Sequence, residues 1–119
     1  MFKSIGTVNY RNESVVLEVD PEISYYYQWW LQKKNIKFNK PFYSPHITII
    51  RKGELFNDNR KYQDQEIEFL YSSDIKQDET YIWLHVMPNQ SLISIRLDNG
   101  LDWCYDKLKG HHITLGNFK

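Results

Sequence analysis

Two histidines in this chain open the same tetrapeptide: His46-Ile47-Thr48-Ile49 and His112-Ile113-Thr114-Leu115. Each reads histidine, apolar, threonine, apolar. Side chains alternate between the two faces of a β-strand, so this pattern sets the imidazole and hydroxyl on one face and the two aliphatics on the other. Only four histidines occur, and serine and threonine together number twelve of 119 residues. A given histidine has roughly a one-in-twenty-five chance of an apolar neighbour followed by a hydroxyl, so two among four is a coincidence on the order of 1%. The chain is therefore expected to build two strands that present the same chemistry in the same way.

The rest of the sequence supplies a frame for them. Phe2 to Tyr10 and Ser14 to Val19 read as a hairpin across Asn12-Glu13. Asp20-Pro21-Glu22 is a helix start: Asp20 caps, Pro21 suits the first helical position and Glu22 complements the positive end of the dipole. Ile23, Tyr26, Tyr27, Trp30 and Leu31 follow at helical spacing and are expected to face the core, with Tyr25 and Trp29 off that stripe. Pro41 and Pro45 bracket the approach to the first motif strand, His46 to Arg51. Residues 53–65 are polar and read as a surface loop, and the acidic stretch 54–79 as solvated surface. Glu66 to Tyr71 and Thr80 to Met87 read as strands joined by Ser72–Glu79. In the second, Ile82, Leu84 and Val86 face the core, opposite Tyr81, Trp83 and His85. Residues 89–100 fit either a strand or a short helix ending at Asn99-Gly100. Residues 101–110 look irregular, and strand character resumes at His111, which should point away from His112.

A length of 119 residues favours a single domain over residues 1–119. Fifteen basic residues balance fifteen acidic ones, so bulk charge gives no argument for duplex DNA or an anionic membrane. The balance is uneven along the chain: +4 over residues 1–52, −5 over 53–79 and +1 over 80–119. The lone Cys104 fits a reducing compartment and reads as a buried structural thiol. No run has the pattern of a signal peptide or the roughly 20 apolar residues of a membrane span. The expectation is a soluble cytoplasmic protein (host cytoplasm if viral).

The paired motifs suit phosphodiester cleavage. That reaction needs a base at the attacking oxygen and an acid at the leaving oxygen, on opposite sides of phosphorus. Imidazole titrates near neutrality and serves as either. The neighbouring threonines supply hydroxyls for the non-bridging oxygens. His46 and His112 are thus the candidate catalytic pair, and Thr48 and Thr114 the candidate phosphate ligands. Tyr43, Arg51, Trp83 and His85 are weaker substrate-binding candidates, set against plain packing or surface roles. A metal site on His46, His85 and His112 is disfavoured because no close-set pair of ligands occurs.

The two His-x-Thr-apolar motifs, 66 residues apart, resemble those of the two-histidine (2H) phosphoesterase superfamily, also called LigT-like. The likeness runs through nearly the whole chain in order of elements. The segments Tyr43-Ser44-Pro45-His46 and His112-Ile113-Thr114-Leu115-Gly116-Asn117 resemble small phage-type members. The resemblance implies an α+β fold with two antiparallel sheets flanking a central cleft and helices outside. It favours the helical reading of residues 91–99. It also implies a metal-independent hydrolase with no cofactor, acting on a nucleotide or RNA-terminus phosphodiester, such as a 2′,3′-cyclic phosphate or a cyclic nucleotide. The chain is shorter than most members, which favours a compact substrate. A non-catalytic nucleotide- or RNA-binding module on the same fold is the rival expectation.

Overall fold

The computed structural model covers residues 1–119. The order of elements is β1 (Phe2–Arg11), β2 (Ser14–Glu18), α1 (Pro21–Lys33), β3 (His46–Ile50), β4 (Glu66–Gln77), β5 (Tyr81–Val86), α2 (Gln90–Asp98) and β6 (His112–Asn117). This is ββαβ written twice. The six strands pair in the order β1-β2-β3-β6-β5-β4, and β4 returns to pair with β1, so every neighbour is antiparallel and the sheet closes. The order is symmetric: exchanging the two halves maps β1 onto β4, β2 onto β5 and β3 onto β6.

The fold class is α+β, as expected, but the strands run as one closed sheet rather than two separate ones. The two halves meet at two unequal seams. β1 and β4 are paired over six residues, Phe2↔Tyr71 to Thr7↔Glu66. β3 and β6 are matched only at Ile47↔Ile113. The first halves of β1 and β4 complete the ring, and their alternation gives no sign of which partner they choose.

The local signals are met at most termini. Arg11↔Ser14 closes the first hairpin, with Glu13 at φ 61° in the turn. Asp20 Oδ1 accepts from the Glu22 amide at 3.0 Å and Pro21 begins α1. Residues 90–98 are helical, capped by Asn89, and Gly100 follows the helix at φ 74°. Cys104 and His111 are buried.

Two further expectations are corrected. Ser72–Gln77 belongs to β4 and is not a loop. A register shift between Tyr71 and Ile75 lets the polar stretch keep pairing with β5, through Ile75↔Leu84 and Lys76↔Trp83, leaving a short turn around Asp78. The buried face of α1 is Ile23, Ser24, Tyr27, Gln28 and Leu31. Tyr26 and Trp30, expected inside, are 56% and 41% exposed. The helix is rotated so that a serine and a glutamine face inward.

Ile47, Ile49, Ile113 and Leu115 belong to a buried cluster that also takes Ile23, Tyr27 and Leu31 from α1 and Leu92 and Ile95 from α2. Each helix packs chiefly on the motif strand of the other half, α1 on β6 and α2 on β3. One buried polar side chain fixes each contact. Gln28 Nε2 donates to the Leu115 carbonyl at 2.9 Å, and Arg96 Nη1 donates to the Ile49 carbonyl at 2.9 Å. Leu115 and Ile49 are the fourth residues of their motifs, so the two anchors are equivalent under the exchange of halves.

The anchors differ in depth. Arg96 is 1% exposed and uses all five of its N–H groups: Nε on the Asp102 carbonyl, Nη1 on Ile49 and Glu54, Nη2 on Glu54 and Asp102. The Glu54 fork is bidentate at 2.8 Å in both arms. Glu54 is thereby an exception to the solvated reading of the acidic stretch. The Arg96 guanidinium holds its carboxyl below the usual range against the opposing effect of burial.

Candidate active site

The seam between β3 and β6 sets the geometry. Ile47 stands opposite Ile113, and extending that antiparallel register by one residue either way brings His46 toward Thr114 and Thr48 toward His112. All four face away from the aliphatic core, and all four are partly exposed. In a regular ladder such diagonal neighbours lie about 7–8 Å apart, a spacing that suits two imidazoles on either side of one tetrahedral anion. His46 and Thr114, from opposite motifs, line one cavity together.

Both imidazoles are oriented in the same way. His46 Nδ1 lies 2.9 Å from the carbonyl of Ser44, and His112 Nδ1 lies 2.8 Å from the carbonyl of Gly110. A carbonyl only accepts, so each Nδ1 carries the proton and each Nε2 is the free ring nitrogen. In both cases the carbonyl belongs to the residue two before the histidine. Gly110 adopts φ 66°, a backbone conformation suited to glycine, while Pro45 follows Ser44 in the first motif.

Burial holds both histidines below the ordinary imidazole pKa. For His46 the Ser44 carbonyl works against burial and the Arg11 charge works with it. For His112 the Gly110 carbonyl and Asp106 work against burial, and Lys109 and His46 work with it. The charge of one histidine therefore lowers the proton affinity of the other, the behaviour of a coupled pair. Both rings hold a proton less readily than a free imidazole, and an anion placed between them favours protonation of one.

The remaining sequence candidates surround this face. Trp83 is opposite Thr114 and His85 opposite His112 in the β5/β6 ladder, so both share the face. The Trp83 ring lies 6.4 Å from that of His112. His85 is turned to the Lys109 carbonyl at 3.3 Å and lines a separate small cavity with Trp103 and His111. Arg51 and Tyr43 line a cavity of about 520 Å³ together with His46, Thr48 and Arg11. Tyr43 also lines a second cavity, of about 260 Å³, on the side of His46 and Thr114. His112 lines neither of these two. No cluster of three or more His, Cys, Asp or Glu side chains is spaced to hold a metal ion.

The sequence reading missed three neighbours. Tyr105 comes from the stretch that looked irregular. Its ring lies 6.2 Å from His112 and 5.5 Å from the Arg51 guanidinium. Burial pushes its hydroxyl up to about 12, with the Thr48 side chain pulling the other way. It is a neutral O–H donor at any ordinary pH. Lys109 lies 5.0 Å from the rings of both Tyr81 and Trp83 and pairs with Asp78 and Asp106. Arg11 pairs with Glu18 at 3.0 Å. No periodicity marks Tyr105 and Lys109, because their positions follow from the chain's return to the sheet after α2, while Arg11 ends β1 as an ordinary strand-end charge. The Asp106 carboxylate, which accepts from the amides of Leu108 and Lys109, was the one local sign of an ordered turn.

No helix of the protein is long and apolar enough to cross a membrane. No family model, curated protein or solved structure matches this chain.

Proposed function

We propose that the protein is a metal-independent phosphodiesterase of the two-histidine kind, acting on a nucleotide phosphodiester. One observation carries this reading: two imidazoles, one from each half, share a face across the β3/β6 seam, and each is tied at Nδ1 so that Nε2 is free. The narrow seam is then the floor of a cleft, with the two ββαβ halves as its walls.

In this mechanism the phosphate lies between the two Nε2 atoms. The neutral histidine takes the proton of the attacking water or hydroxyl, and the protonated one gives its proton to the leaving oxygen. Thr48, Thr114 and Tyr105 donate hydrogen bonds to the non-bridging oxygens, whose charge grows in the transition state. Arg51, 5.5 Å from the Tyr105 ring, adds positive charge at the same edge. Cavities of about 260 and 520 Å³ favour a compact substrate, a 2′,3′-cyclic phosphate or a small cyclic nucleotide, over a long RNA. Such a substrate suits RNA-end processing or the removal of a nucleotide signal by a phage protein in its host's cytoplasm.

The test is turnover of a panel of 2′,3′-cyclic phosphates and cyclic oligonucleotides in the presence of EDTA. Activity is expected to persist in the chelator. His46→Ala and His112→Ala are each expected to lower it by about 10²–10⁴ with the fold intact. An unchanged rate in either variant overturns the assignment. Binding of the panel with no turnover would instead leave a nucleotide- or RNA-binding module.

A further inference from the structure

The outer face of α1 carries aromatic rings where a surface helix ordinarily carries polar and charged groups. Tyr25, Tyr26, Trp29 and Trp30 are all exposed, Tyr26 and Trp29 by half or more. The rings gather on one another: the centroids of Trp29 and Trp30 lie 5.2 Å apart, and those of Tyr26 and Trp30 6.5 Å apart. A contiguous exposed patch of this kind marks a surface that another molecule covers.

Opposite the buried side of Ile23, Tyr27 and Leu31 runs the row Glu22, Tyr26, Trp29 and Lys33. Its spacings are four, three and four residues, which keep side chains in line along a helix. The spacings read the same from either end, and the two ends carry opposite charges. Glu22 and Lys33 are exposed, and neither forms an ion pair within the chain. Lys33 Nζ lies 5.2 Å from the centroid of the Trp29 ring. Beside the row, on the flank that holds Trp30, is a groove of about 300 Å³ lined by Phe2, Glu22, Ile23, Tyr26, Tyr27 and Tyr71.

We propose that α1 is the contact face of a two-fold dimer, packed antiparallel against α1 of a second copy of this chain. With the axis level with the peptide between Tyr27 and Gln28, Glu22 meets Lys33 of the second copy and Tyr26 meets its Trp29. Each contact then occurs twice, as a closed isologous interface requires. The same operation brings Trp30 of the second copy over the groove, where its ring fills the space beside Tyr26. Charge decides the occupant. A nucleic-acid strand or an anionic bilayer is negative throughout, so it suits Lys33 and opposes Glu22. The row is its own complement once reversed. The inference stands apart from the phosphodiesterase reading, because it uses no residue of the two histidine motifs.

The test is sedimentation of the full chain over a concentration series. A monomer–dimer equilibrium in the micromolar range is expected. Trp29→Ala is expected to weaken it about tenfold or more, as the loss of a central ring. Glu22→Lys and Lys33→Glu, each alone, set like charges together in both copies of the contact and are expected to weaken self-association about tenfold. An equimolar mixture of those two variants restores both pairs and is expected to associate about as well as the unchanged chain. All three positions are exposed, so circular dichroism should show each variant folded. A chain that stays monomeric at every concentration overturns the proposal, as does a dimer that survives Trp29→Ala or a mixture that associates no better than its components. A monomer that instead sediments with phosphatidylserine vesicles or single-stranded RNA also overturns it.

Discussion

The two halves share a frame and differ in what hangs on it. Each supplies a hairpin, a helix and a motif strand, and each ties its histidine to the carbonyl two residues back. Around His46 the surroundings are open: two cavities, a proline-bracketed loop and exposed aromatics. Around His112 they are packed, with Tyr105, Trp83, Lys109 and Asp106 close by. In the proposed mechanism the shared frame places the two histidines, which must match each other across one phosphorus atom. The unshared parts are free to differ, so they are where substrate choice is expected to reside.

The largest effects should come from the shared parts. His46→Ala with His112→Ala in one chain is expected to lose far less than the product of the two single losses, because the pair acts as a unit. Turnover measured on all three variants checks this, and strictly multiplying losses would break the symmetry argued here. The pH profile of kcat/KM sharpens the same point. Burial lowers the pKa of both histidines from the ordinary imidazole value, and the proposed mechanism needs one of them protonated. The rate is expected to peak on the acid side of neutrality and to fall as pH rises through 7.

The helix anchors come next. Arg96→Met strands the largely buried Glu54 carboxylate and is expected to cost about 3–5 kcal/mol in urea unfolding. Gln28→Met breaks one neutral hydrogen bond and should cost about 1 kcal/mol. Equal costs would show that the two clamps are closer in strength than their geometry implies.

His111 has no counterpart in the first half, where Pro45 precedes the histidine. Its ring is buried with Nε2 unpartnered, and burial lowers its pKa to about 4. Between pH 6.5 and 4 the unfolded chain takes up a proton that the folded chain refuses, so stability falls as pH falls across that window, by roughly 3 kcal/mol in all. His111→Leu is expected to flatten this slope in denaturation measured at several pH values. At Tyr105 the effect falls on turnover. Tyr105→Phe removes one donor near His112 and should lower turnover about five- to tenfold, with little change in stability.

The sequence made the motif strands legible because their pattern is short, period two and repeated. It also marked the caps at Asp20 and Gly100, where one side chain or one backbone angle decides the outcome. It misjudged α1 because Tyr26 and Trp30 read as core by polarity, while the space beneath the helix is shaped by residues 38–46 and by β6. It misjudged Ser72–Gln77 because those residues pair through their backbone, and their polar side chains carry no strand period. Arg96 and Glu54 were invisible as a pair, being 42 residues apart and charged like any surface residues. Tyr105 needed the return of the chain from α2 to β6 before it had neighbours at all.

The crossed packing of the helices has a consequence for how such a chain can be divided. A polypeptide ending near residue 60 would hold a helix whose buried face fits a strand it does not possess, and a strand whose covering helix lies on the missing piece. Neither fragment is complete alone, but two copies of one fragment could trade helices and close the same ring.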